Sequence, residues 1–215
     1  MKLGRLALAA AAAGVAGVAL WWRRHPSACP YSQRFWVEAP HPLITRSRLR
    51  EALAPSAGER ILEVGPGTGY YTLAVAESLG PGGLLDIFDI QEEMLEHTMR
   101  AGRERGLKNI VATQGDASSL PYAANRFDGA YLVTVLGEIP DQDAVLRELA
   151  RVIRPDGRLV VGELFGDPHW VRFGALEERA GRAGFRLERR VGGMFGYFAR
   201  FGNRACERIA RMQVR

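Results

Sequence analysis

Downstream of Pro55 the chain alternates two textures. Short apolar runs of five to seven residues are separated by longer stretches in which apolar side chains recur every three or four positions. Residues 60–64, 84–89, 110–114, 127–133 and 158–163 read as strands buried on both faces. Residues 70–79, 92–105, 141–153 and 172–183 read as amphipathic helices, and residues 43–53 as a shorter one before the first strand. The turn signals "GPGG", "RGLKN" and "RPDGR" fall between them. Strands alternating with helices predict an α/β, doubly wound, mostly parallel sheet. After Gly184 the segments "FRLERRV" and "MFGYFARFG" read as two strands with no full helix between, which predicts an antiparallel pair closing the sheet.

The first strand runs into "GPGTG". Gly65, Gly67 and Gly69 make a turn with almost no side-chain bulk, so a ligand can rest on the backbone at the head of a helix. Such a turn suits a dinucleotide, a nucleotide phosphate or another adenosine ligand. The spacing is not G-x-G-x-x-G, and no G-K-[ST] follows, which excludes a Walker-type loop. Acids stand at the strand ends instead. Glu63 precedes the loop, Asp89 closes the second strand about 20 residues on, where a carboxylate can accept ribose hydroxyls, and Asp116 follows the third. Many carboxylates and no lysine suit a cationic ligand better than a pyrophosphate. Against this, Glu63 as a plain edge charge, Asp89 as a cap for a helix near Gln91, and Asp116 as a cap for a turn at 117–120 remain open.

In "ILEVGPGTG", the acid of "IFDIQEEML", "QGDASSLPY", "FDGAYLVTVLGEIPD" and "LRELARVIRPDGRLVVGE", the chain resembles the class I S-adenosylmethionine-dependent methyltransferases over roughly residues 44–200. The resemblance implies a Rossmann-like methyltransferase fold, a seven-stranded sheet with an antiparallel last strand, and S-adenosyl-L-methionine as cofactor at the C-terminal edge of the first three strands. Carried over, Gly65, Gly67 and Gly69 would line its methionine part, and Glu63 would orient the loop. Asp89 would bind the ribose, Ile90 would pack on the adenine, and Asp116 with Ala117 would hold the adenine edge. No metal ligand set is implied. For catalysis Glu138 and His169 are the candidates, with His41 a further histidine near the site. Glu138 stands where many relatives carry histidine, which counts against a histidine base there. Tyr31, Phe35, Trp36, Phe195, Tyr197, Phe198 and Phe201 are aromatic candidates for an acceptor pocket, or else core.

Composition adds little until it is divided along the chain. At 215 residues and 47% hydrophobic, the protein can bury one sizeable core. Cys29 and Cys206 lie far apart, without metal-ligand spacing. The net charge of +5 hides a division: +7 over residues 1–50, −9 over 51–171 and +7 over 172–215. Basic ends suit an anionic membrane surface, and no basic–aromatic stacking pattern points to nucleic acid. Residues 6–22, "LALAAAAAGVAGVALWW", carry no charge, and Arg23 and Arg24 follow them. That length is at the short end for a spanning helix. A cleaved signal peptide or a buried helix competes with an uncleaved anchor. The expected organisation is a hydrophobic N-terminal helix as membrane anchor in 1–24, a linker or lid in 25–42, the methyltransferase domain in 43–202, and a basic tail in 203–215. The positive-inside rule puts the domain in the cytoplasm. The expected partners are a small, lipophilic methyl acceptor of the quinone, phospholipid or thiol class and the membrane surface. A non-catalytic cofactor-binding scaffold and a dinucleotide oxidoreductase are the alternatives. The oxidoreductase lacks a third glycine at the right spacing and a Tyr-x-x-x-Lys pattern.

Overall fold

The structure, a computed structural model, describes residues 27–33 and 42–204. The apolar run 6–22, Phe35, Trp36, His41, Cys206 and nearly all of the expected basic tail lie outside the described residues. Among the described residues, no helix is long and apolar enough to cross a membrane.

Helix α1 (Arg46–Leu53) precedes the sheet. Thr45 starts it, its hydroxyl accepting from Arg48 N at 3.3 Å, so the predicted helix loses its first three residues to the approach and the cap. There follow β1 (Arg60–Val64), α2 (Thr72–Leu79), β2 (Leu84–Asp89), α3 (Glu92–Glu104), β3 (Ile110–Gln114) and β4 (Phe127–Val133). The described residues continue with α4 (Gln142–Val152), β5 (Ile153–Leu164), α5 (Phe173–Ala183), β6 (Phe185–Gly192) and β7 (Gly196–Asn203). The strands form one seven-stranded sheet in the order β3-β2-β1-β4-β5-β7-β6. β7 runs antiparallel to both of its neighbours, and every other pairing is parallel. The predicted doubly wound sheet with a reversed last strand is therefore present.

Both faces of the sheet are buried, because each central strand sends alternate apolar residues to opposite sides. Leu62, Val64, Phe88, Leu132, Leu159 and Val161 pack with Leu146 and Leu149 of α4 and Leu176 of α5. Ile61, Ile87, Tyr131, Val160 and Phe198 pack with α1 and α2 through Leu49, Leu53, Val75 and Leu79. Tyr197, Phe198 and Phe201 are fully buried in these two layers, so these three aromatics are core residues and not pocket walls. β5 starts five residues earlier than the alternation predicts. The pairing with β4 jumps from Phe127↔Ile153 to Gly129↔Arg158, so "RPDG" loops out as a bulge within the strand, with Asp156 at φ +61°. The turn signal was genuine, and the strand continues on both sides of it.

Candidate active site

β1 lies between β2 and β4, so the chain leaves it in opposite directions at its C-terminal end. That reversal opens a crevice at the carboxyl edge of the sheet. A cavity of about 320 Å³ fills the crevice. Its walls are Val64, Gly65 and Gly67 after β1, Phe88 to Gln91 after β2, Gly115 to Ala117 after β3, and Val133 to Val135 with Glu138 after β4.

The glycine loop is built as its composition requires. Gly65, Gly67 and Gly69 have φ of +72°, +55° and +84°, the left-handed region that side chains rarely adopt. A Cβ on Gly65 would run into the methyl groups of Val135, and one on Gly69 would press on Thr98 at 3.2 Å. The loop is pinned by Gly65 N donating to Phe88 O at 2.8 Å and by the Thr98 hydroxyl donating to Gly67 O at 2.9 Å. Helix α2 begins two residues later than predicted, because Tyr70 and Tyr71 still belong to the turn.

Of the expected cofactor residues, Gly65, Gly67, Asp89, Ile90, Asp116 and Ala117 line the cavity together. Gly69 stands behind the loop and shapes it. Ile90, a large apolar side chain at the rim, is 57% exposed among the described residues. Asp89 closes β2, where burial raises its pKa while the backbone N–H groups of Gln91 and Ile90 lower it. One of its oxygens accepts from Gln91 N at 2.9 Å, so the capping role is realised on that oxygen. Asp116 is exposed, and its Oδ1 accepts from Ser118 N at 2.8 Å, which holds its carboxyl below the usual range. It too caps its turn while facing the cavity.

Glu63 is buried beneath the loop and does not line the cavity wall. Burial pushes its pKa up to about 7; the nearby hydroxyls of Thr72 and Tyr131 pull it back, and Asp89 adds to the rise. Neither hydroxyl reaches hydrogen-bond geometry. Glu63 Oε2, Thr72 Oγ1 and Tyr131 Oη are all buried without a hydrogen-bond partner among the described residues. Glu63 stands one residue before the loop's Val64-Gly65 step, Thr72 opens the helix after the loop and Tyr131 lies on the neighbouring β4, so these orphaned groups are the kind that a ligand or a bridging water satisfies.

On the acceptor side, Glu138 ends a short 3₁₀ turn (Leu136–Glu138) and faces the cavity. Burial pushes its pKa up to about 8, helped by Asp167 and Asp89 and opposed by Cys29 N–H. Glu163, at the end of β5, also rises to about 8, through burial and then Asp167 and Glu138, although Val171 N donates to it. Burial likewise raises Asp167, which accepts from His169 N. His169 lies outside the cavity lining. Its backbone abuts Gly137, which leaves no room for a Cβ there, so the loop after β5 buttresses the Glu138 turn. His169 thus stands behind the candidate base, at one remove from the cavity.

Three wall residues had no usable sequence signal. Thr134, at φ +56°, holds a β-branched side chain in the left-handed region, a strain of about 1–2 kcal/mol of the kind that clusters at sites. Cys29 and Gln91 meet across the cavity mouth over 62 positions of sequence. Burial raises the Cys29 thiol, with Glu138 and Asp167 adding to the shift.

A family model described as a methyltransferase domain matches residues 61–157. The demethylmenaquinone methyltransferase of Lactobacillus johnsonii is 36% identical over 119 residues, covering 55% of this chain and 49% of that protein. The protein of the same name from Geobacillus sp. is 35% identical over 103 residues, covering 48% of this chain and 44% of that protein. The chain spans about half the length of the curated relatives it matches. A SAM-dependent methyltransferase from Aquifex aeolicus shares the fold at a TM-score of 0.75 and 20% identity, covering 82% of this chain and all of that one. The [4+2]-cyclase SpnF superposes at 0.61 with 27% identity, over 68% of this chain and 57% of that one. One fold thus carries more than one reaction, and the argument for chemistry rests on the site.

Proposed function

Since residues 61–157 match a methyltransferase domain and the curated relatives that the chain resembles are methyltransferases, we propose that the chain is a class I S-adenosylmethionine-dependent methyltransferase that transfers the methyl group of S-adenosylmethionine to a small, lipophilic acceptor of the quinone class. The observation that carries this reading is one cavity walled by Gly65, Gly67, Asp89, Asp116 and Glu138. The residues suit the cofactor. No lysine or arginine stands in the described wall, several carboxylates do, and the orphaned oxygen of Glu63 lies beneath the loop. A cation is welcome there and a pyrophosphate is not. Gly65 and Gly67 would cradle the methionine part, Asp89 would accept from the ribose, and Ile90, Asp116 and Ala117 would border the adenine.

When bound, S-adenosylmethionine supplies a methyl group activated on a sulfonium. What remains for the protein is to orient the acceptor and, for a hydroxylated ring, to take a proton. Glu138 is the residue placed for that. A carboxylate with a pKa near 8 is a far stronger base than an ordinary glutamate; deprotonating a reduced quinone's ring hydroxyl makes the adjacent ring carbon nucleophilic, and after that carbon takes the methyl group it gives up its own proton as the ring becomes aromatic again. The quinone class is favoured over phospholipid or thiol acceptors because the relatives named above act, by their names, on demethylmenaquinone. The apolar run 6–22 supports a membrane location with the catalytic domain on the cytoplasmic side, as a further part of the proposal.

Titration calorimetry with S-adenosylmethionine and S-adenosylhomocysteine tests the cofactor half. Incubation with methyl-deuterated cofactor and a reduced naphthoquinone tests the acceptor half. A protein that binds both cofactor forms but labels no quinol, while labelling another lipid in a membrane extract, overturns the acceptor and leaves the methyltransferase.

A further inference from the structure

Residues 27–33 cross the mouth of the cavity, and Ser27, Ala28 and Cys29 form part of its wall. This strap pairs with no strand of the sheet. Side chains hold it. Gln91 Nε2 donates to Cys29 O at 3.0 Å, and Tyr31 N donates to Gln91 Oε1 at 3.2 Å. One amide thus satisfies a carbonyl and the N–H two residues on, as a residue of a parallel strand would. Cys29 N donates to Glu138 Oε2 at 3.3 Å, and the Tyr31 hydroxyl meets His97 Nδ1 at 3.2 Å.

Gln91 occupies the N-cap position of α3, yet its side chain makes no capping bond. Its backbone N–H instead donates to Asp89 Oδ1. A single residue therefore grips the strap with its side chain and the ribose-site carboxylate with its main chain. We infer that Gln91 is a positioning residue that fastens the 27–33 strap over the cofactor cavity and couples it to Asp89. The inference rests on the cofactor reading above. Ser27, Ala28 and Cys29 share the cavity wall with Gly65 and Gly67, so a fastened strap slows the departure of a bound cofactor. The fastening needs a group that donates and accepts at once. Glutamate has the same length but only accepts, and it would set a carboxylate oxygen against Cys29 O.

The test uses the full chain with Gln91→Ala and Gln91→Glu, and Tyr31→Phe as the variant that loses only the hydroxyl contact. Amide exchange over residues 27–33 in ligand-free protein reads the fastening. The dissociation rate of S-adenosylhomocysteine, by stopped-flow competition, reads its consequence. Both Gln91 variants should exchange faster over this segment and release the ligand roughly tenfold faster, with association changed less and melting temperature unchanged. Tyr31→Phe should show a smaller rise in both. Unchanged exchange in Gln91→Ala overturns the fastening. Faster exchange with an unchanged release rate overturns the positioning role. Wild-type protein that binds no S-adenosylhomocysteine overturns the cofactor reading and this role with it, while the exchange data still decide what holds the strap.

Discussion

Replacing Glu138 by glutamine should make the ligand-free protein more resistant to unfolding at alkaline pH. In the folded chain this carboxyl has a pKa of about 8, against an ordinary value of 4.5. A folded-state pKa above the unfolded one means that the native protein holds the proton more tightly. Its contribution to stability is complete below about pH 4.5 and is lost as pH rises through 8. Integrating that linkage from pH 6 to pH 9 gives a loss of about 3 kcal/mol attributable to this side chain. Total stabilities run to roughly 5–15 kcal/mol, so the effect is large enough to measure. Glutamine keeps an acceptor oxygen for Cys29 N and removes the proton equilibrium. Urea unfolding of both proteins at pH 6 and pH 9 should show the variant's advantage widening by about 3 kcal/mol. Asp167, Asp89 and Glu163 press on the same site, and losing the Glu138 charge should also ease their ionisation. A gap between the two proteins that does not change with pH refutes the reasoning, because Glu138 would then already be ionised at neutral pH and would be a weaker base than proposed. Saturating S-adenosylmethionine should recover part of the alkaline loss in wild type, since its positive charge favours the ionised carboxylate.

Asp89→Asn should weaken S-adenosylmethionine binding by about 10- to 100-fold, the scale of a hydrogen bond to a charged acceptor, whereas Asp116→Asn, at an exposed site, should cost less than about threefold. Calorimetry giving equal losses for the two would remove Asp89 from its proposed role. Gly65→Ala should abolish binding and destabilise the fold by about 2–4 kcal/mol, through left-handed strain and collision with Val135; adding Val135→Ala should restore some stability, and a neutral Gly65→Ala in thermal unfolding contradicts the loop geometry. Deleting residues 1–24 should leave cofactor affinity unchanged and reduce turnover only on an acceptor delivered in vesicles; equal loss on a soluble acceptor analogue would assign the segment to the site itself.

The sheet was legible because its strands are locally complete: five apolar runs, set apart by helical stretches and turn signals, leave few ways to pair. The glycine loop was legible for a similar reason, since three closely spaced glycines after a buried strand serve a backbone and not a core. Asp89 was placed by counting from them. What sequence could not show were meetings between distant segments. Nothing local marks Gln91 as the partner of Cys29 and Tyr31, and nothing marks Glu163 and Asp167 as neighbours of Glu138, because the tertiary fold alone brings the end of β5 and the loop after it to the turn after β4. Thr134 is a case of a different kind, for a threonine held at positive φ contradicts its own preference. Asp89 and Asp116 also taught that capping and ligand binding are not exclusive. A carboxylate has lone pairs for both.

β7 comes last of the strands in sequence but lies inside the sheet, with β5 on one side and β6 on the other. Until it arrives, β5 presents an open row of backbone donors and acceptors, the kind of edge on which a second copy can dock. β1, β2 and β3 pair with their neighbours in sequence, β4 must reach back to β1, as Gly129 does to Ile61, and β5 must then wait for partners some 40 residues further on, such as Phe201 for Leu159. The insertion also completes both cores at once, because Tyr197 faces one layer and Phe198 the other. A chain lacking the final hairpin would be a five-stranded sheet with β5 as its open edge, and the 193–195 turn is the link that brings β6 and β7 together to close it. Substitutions there bear on the yield of soluble protein during synthesis more than on the finished molecule's resistance to heat or on its catalysis.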